Sequence, residues 1–231
     1  MTRICRYLPL FFVLLFSIQF VNAQSGFDLN FGVGAAQDKA SSTGIDQNTF
    51  LSCAPVGVST CSATKNLSTV MLGFGGNLML WKKFGVGAEV SIQPTKQSYA
   101  LLQPAITSLG QPAIELQSRV TFFDFNGIFQ PVNTKKVAVQ LLGGIGGANL
   151  KFYENASGAN ALVGSYNQSQ YAGSSNHFQV HGGFGVQIYL TDHVFLRPQF
   201  DVHYVHNLSQ FGNNLVTAEM VWLGYSIGDR P

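Results

Sequence analysis

Between Val194 and His206 the side chains change character at every step. Val194, Leu196, Pro198, Phe200, Val202 and Tyr204 are apolar or aromatic, and Arg197, Gln199, Asp201 and His203 between them are polar. A period of two is the repeat of an extended strand whose faces meet different surroundings, and no helix carries it. The pattern recurs. Phe178, Val180, Phe184, Val186, Ile188 and Leu190 alternate with His177, Gln179, His181, Gln187 and Tyr189. Phe84 to Ile92, Val70 to Leu80 and Phe27 to Val33 behave alike, with Glu89, Asn77 and Asp28 on the polar sides. Three stretches are less regular. Ile114 to Phe129 changes phase at Phe122-Phe123, which predicts a bulge that turns Asp124 and Asn126 inward. Val137 to Phe152 is glycine-rich, with Leu142 on its polar side. Leu215 to Gly228 sets Val221, Leu223 and Tyr225 against Trp222 and Gly224, and leaves Glu219 on the apolar parity, at a rim or a second bulge. The eight strands are joined alternately by short turns (81–83, 131–135, 191–193) and by long links near 37–66, 99–113 and 153–175, with a shorter link near 209–214. An all-β, antiparallel up-and-down barrel follows.

Alternation alone fits a water-soluble barrel as well as a transmembrane one, so the sidedness has to come from composition. Only 10% of residues are charged, against about 25% in ordinary soluble domains. The polar faces are mostly Gly, Ser, Thr, Asn and Gln with isolated charges, which suits a barrel interior. Lys39, Lys65, Lys82, Lys83, Lys135 and Lys136 sit in turns and links, clear of a hydrocarbon layer. Aromatics gather near strand ends as interface girdles: Trp81, Phe84, Phe129, Tyr189 and Phe195 at one end, Tyr99, Phe152, Tyr153 and Tyr204 at the other. The expected fold is an eight-stranded antiparallel transmembrane β-barrel spanning 24–231.

Residues 1–23 read as a cleavable export signal. Arg3 and Arg6 precede an apolar run from Leu8 to Val21, and Val21-Asn22-Ala23 offers small residues at the cleavage position. The run is shorter than the roughly 20 residues of a spanning helix. These two arginines account for the excess of 13 basic over 11 acidic residues, so the mature chain is neutral and nucleic-acid binding has no electrostatic basis. Cys53 and Cys61, in a Ser/Thr/Gly/Pro-rich link exported to an oxidising compartment, are expected to form a local disulfide.

The segment Tyr189-Leu-Thr-Asp-His-Val-Phe-Leu-Arg-Pro-Gln-Phe-Asp-Val-His-Tyr204, with Gly-Val-Gly-Ala-Glu at 85–89, resembles the small outer-membrane β-barrel family of Gram-negative bacteria. That family includes opacity-type surface antigens and the barrel of outer-membrane protein A. The resemblance implies the bacterial outer membrane as location, its lipid as surroundings, and barrel-assembly machinery as a partner. Such machinery reads an aromatic C-terminal residue in family members. This chain ends Gly228-Asp-Arg-Pro231, so either Tyr225 takes that part or a short tail follows the signal.

Inside the barrel the expected polar network comprises Arg119, Arg197, Glu89, Glu115, Asp201, His181 and His203, with Asp28 as a further acid. Charges in so narrow a space must pair. An odd-length turn centred on Asp192 pairs His181 with His203 and Gly183 with Asp201. Such a group can serve as a weak metal or proton-responsive site; an interior hydrogen-bond network is the plainer reading, and no metal or cofactor is assigned. Lumen glycines at 32, 34, 73, 75, 85, 87, 183 and 185 leave room for some free volume. Catalysis is not expected: His206 and Ser209 lack an orienting acid, and the glycine run at 144–149 has no following helix. The expected function is a non-enzymatic surface barrel of structural or adhesion type, meeting an extracellular partner through 37–66 and 153–175. The alternative is a narrow channel for ions or very small solutes.

Overall fold

Strands that alternate in this way leave two unpaired edges unless the sheet closes on itself, and closure is what the chain achieves. The computed structural model describes residues 26–38, 58–63, 67–104, 113–160, 164–207 and 214–228. They form β1 (Phe27–Asp38), β2 (Val58–Ala63), β3 (Leu67–Met79), β4 (Phe84–Ile92), β5 (Gln97–Pro104), β6 (Ala113–Asn133), β7 (Val137–Asn160), β8 (Gly164–Tyr189), β9 (Val194–Val205) and β10 (Leu215–Ile227). Eight of them close an antiparallel ring in the order β1, β3, β4, β6, β7, β8, β9, β10, and β10 returns to β1 with Phe27 opposite Ile227. The segment 1–23, Cys53 and most of the first long link lie outside the described residues. Cys61 belongs to β2, with its side chain outside them too.

Tight turns at 80–83, 134–136 and 190–193 join the strands at one end. At the last, the Thr191 hydroxyl accepts from the Val194 amide at 3.0 Å. The other end is built differently. The links at 37–66 and 99–113 contain β2 and β5, and 153–175 is largely strand, because β7 and β8 run for 24 and 26 residues. A membrane needs only about 9–11 residues per tilted strand. The surplus of β6, β7 and β8 stands above the ring, where β5 pairs with Ala113-proximal β6 and β2 pairs with β5. A five-stranded extension, β2-β5-β6-β7-β8, thus continues the barrel wall.

The register of β6 contains no bulge at Phe122-Phe123: Thr121, Phe122, Phe123 and Asp124 pair in unbroken succession with Asn149, Ala148, Gly147 and Gly146. Even-numbered residues from Leu116 to Gln130 are inward throughout. What changes at Phe122 is the solvent. Below it the outer face is Phe123 and Phe125, the latter 65% exposed, and the inner face is Asp124 and Asn126. Above it the outer face is Arg119, Gln117 and Glu115, and the inner face is Leu116 and Phe122. The wall is apolar-out where lipid surrounds it and polar-out where water does. Glu219 obeys the same rule: β10 pairs without interruption on both sides, so it is a rim residue opposite Ala35 and Phe200.

Candidate functional site

The lumen holds two kinds of layer. Toward the extension, Met71, Leu116, Phe122, Leu150, Phe152, Val205, Val216, Met220 and Trp222 pack into one buried apolar cluster. Phe152 therefore belongs to the interior and not to a girdle, and so does Phe195, which is fully buried; both sit on inward parity. The lumen glycines are the counterpart of these bulky groups. A Cβ on Gly32 would come within 2.6 Å of Trp222 Cε3, one on Gly75 within 2.9 Å of Glu89 Cγ. The space expected to be free is occupied.

Below that cluster lies the polar network. Arg197, with no exposed surface, donates from Nη2 to Glu89 Oε1 at 2.5 Å and from Nη1 to Gln140 Oε1 at 3.0 Å, with its guanidinium over the Trp222 ring. Gln199 Nε2 links Glu89 Oε2 at 3.1 Å to Asp201 Oδ2 at 2.8 Å. On the other side Gln187 accepts from Gln140 at 2.8 Å and donates to Asp28 Oδ2 at 2.9 Å, and the Ser226 hydroxyl donates to Asp28 Oδ1. The chain of contacts crosses the lumen, joining strands that never pair. Burial of an unpaired ion costs several kcal/mol, so each carboxylate here collects amide or guanidinium donors.

His181 stands opposite His203, and Gly183 opposite Asp201. The two imidazoles stack with centroids 5.3 Å apart, and both Nδ1 atoms approach Asp124 Oδ1, at 3.1 and 3.8 Å. Asp124 comes from β6, two strands from His181. The two meet over β7, where Gly144 pairs with both Asn126 and His181, and Gly146 with both Asp124 and Gln179. Without a Cβ at these positions, side chains from the flanking strands reach each other. Reading the turn register brings the histidines together; Asp124 as their third partner needs this glycine floor to be recognised.

Arg119 and Glu115 lie outside the lumen. Both are on odd positions of upper β6, facing away from the apolar cluster. Arg119 Nε donates to the Gln93 carbonyl at 3.1 Å. Glu115 accepts from the Ser98 hydroxyl, from Gln117 Nε2 at 2.9 Å and from Asn155 Nδ2 at 3.2 Å. Placing them inward assumed lipid along the whole strand. On the same outer face Lys96 lies 4.1 Å from the Tyr153 ring centre and donates to the Ser169 hydroxyl at 2.7 Å, and Tyr153 meets Tyr171 edge-on.

A serine–histidine contact escaped the sequence reading: Ser175 Oγ lies 2.8 Å from His177 Nε2. The other ring nitrogen is held by the His206 carbonyl at 2.9 Å, not by a carboxylate. The cross-strand neighbours are Leu150 and Ala148, both members of the apolar cluster. The arrangement satisfies a buried imidazole. Ser209 lies outside the described residues.

No family model and no curated protein matches the chain. Among solved structures it is similar to Ail, the attachment invasion locus protein of Yersinia pestis, at 14% identity over 87% of this chain and 98% of that one, with a TM-score of 0.43. It is also similar to the outer membrane protein OprG from Pseudomonas aeruginosa, at 14% identity over 90% and 99% of the two chains, with a TM-score of 0.39. A third is Neisserial surface protein A, at 11% identity over 88% and 97%, with a TM-score of 0.40.

Proposed function

We propose that the protein is a non-enzymatic, non-conducting barrel of the bacterial outer membrane, which displays its five-stranded extension at the cell surface as a structural or adhesion-type platform. The observation that carries this reading is the apolar cluster that fills the extension-side lumen from Met71 to Trp222. An ion crossing it would shed most of its water among Leu116, Phe122, Leu150 and Phe152, where few polar groups replace it. A channel needs a continuous wet path, and the packed layer argues against one.

The lipid-facing belt of Phe31, Phe74, Phe125, Ile145, Phe178 and Leu223 supports the membrane location. Barrels of this type carry short turns on the periplasmic side and long connections outside, which puts the extension in the medium. Its water-facing surface offers Lys96, Tyr153 and Tyr171 together with the Glu115 cluster as contacts for an extracellular partner. Outer-membrane lipid and the barrel-assembly machinery are the remaining partners.

Two measurements test the proposal. Refolded protein in a planar bilayer should leave the membrane silent while an unboiled gel shows the folded band. Reproducible conductance steps from folded protein would instead establish the channel. Replacing 153–171 by a short turn should abolish surface attachment and leave the folded band intact; unchanged attachment removes the adhesion role.

A further inference from the structure

The buried histidines of the lumen are not alike. His177 has a partner on each ring nitrogen, at 2.8 and 2.9 Å. His181 and His203 are more than nine-tenths buried, yet the Nδ1 of each has no hydrogen-bond partner. Both nitrogens lie close to one atom, Asp124 Oδ1, at 3.1 and 3.8 Å, and one ligating atom from each of the three residues lies within 4.8 Å of the other two.

The protonation pattern makes this convergence informative. His181 Nε2 meets Asn126 Oδ1, and with that carbonyl as acceptor the ring carries its proton on Nε2 and leaves Nδ1 its lone pair. Nδ1 then lies 3.1 Å from a carboxylate oxygen with no proton between them. Two acceptors so placed repel, and a cation between them turns the repulsion into coordination. Charge counting leads the same way. Among the described residues, four buried carboxyl groups, Asp28, Glu89, Asp124 and Asp201, share the lumen with one guanidinium, that of Arg197.

We propose that Asp124, His181 and His203 bind one divalent cation of the zinc class inside the barrel. Two imidazole nitrogens and one carboxylate oxygen suit borderline first-row ions and not calcium or magnesium, which call for more oxygens. Ligand bonds of about 2.0–2.1 Å put tetrahedral donors roughly 3.3 Å apart, and the observed 3.1 and 3.8 Å straddle that spacing. The supporting contacts are those of a held site. Asn126 fixes the His181 ring, Gln179 Nε2 donates to the Asp124 carboxylate at 2.6 Å, and Phe122 stacks on His203 at 4.7 Å. The same Phe122 belongs to the apolar cluster above, so the ion enters while the barrel closes and tethers β6, β8 and β9 from within.

The test is to refold untagged protein with cobalt(II) as a spectroscopic probe and, separately, with zinc, then remove loose metal with a chelator. The expected result is one equivalent of retained metal per chain, tetrahedral cobalt absorption, and a urea midpoint raised by metal. His203→Gln and the near-isosteric Asp124→Asn should lose all three, and His177→Gln should keep them. Folded wild-type protein without retained metal overturns the proposal, whatever the variants do. So does retention of the full equivalent by Asp124→Asn and His203→Gln alike, which assigns the binding to other residues.

Discussion

The lower and upper halves of β6 and β7 share one backbone, one pleat and opposite chemistry. In the ring, Phe125 and Ile145 point out and Asp124 and Asn126 point in. In the extension, Arg119 and Lys151 point out, paired across the ladder, and Leu116 and Leu150 point in. The extension is patterned like a soluble sheet grafted without a joint onto a membrane one. A phase change in hydrophobicity is thus evidence about the surrounding medium before it is evidence about the strand.

The contrast can be broken at several points. The largest effect is expected at the ring's interior, where Arg197→Met leaves the buried Glu89 without its counter-charge and lowers stability by about 3–5 kcal/mol. The double change Arg197→Met, Glu89→Leu should recover much of that in urea unfolding from lipid. Next is the lipid face: Phe125→Arg should cost roughly 2–4 kcal/mol if it lies near mid-membrane, and Gln117→Arg, eight residues up the same face, roughly 0–1 kcal/mol. Equal costs at the two sites would mean that the boundary at Phe122 does not mark the edge of the lipid. In the extension, losing the cation–π contact through Lys96→Ala should shift stability by no more than about 0.5–1 kcal/mol, while weakening any attachment that uses this face.

The ring was legible because lipid outside and side chains inside impose a period of two on strand after strand, and because the three-residue turn around Asp192 sets the β8–β9 register. The extension was not. β2 and β5 are short and are held by backbone pairing, β5 onto β6 and β2 onto β5, which leaves no alternation to read. Arg119 and Glu115 were misplaced for the reason that Phe122-Phe123 looked like a bulge: one medium was assumed along the strand. The glycines read as spare volume were the reverse, recesses cut for Trp222 and Glu89. Within the site, neighbour-strand partners followed from register, whereas contacts across Gly144 and Gly146 join β6 to β8 and required the third dimension.

The unbroken passage of β7 and β8 from ring to extension also has a mechanical consequence. A pull applied near Asn160 and Gly164 runs along strands that are bonded side by side down to the tight turns. It loads the β6–β7 and β8–β9 ladders in shear, many hydrogen bonds at once. At the register shift beside Tyr153, where Ala172 is skipped by the ladder, that load is unevenly shared. Force on the extension would accordingly be delivered to the membrane-embedded ring.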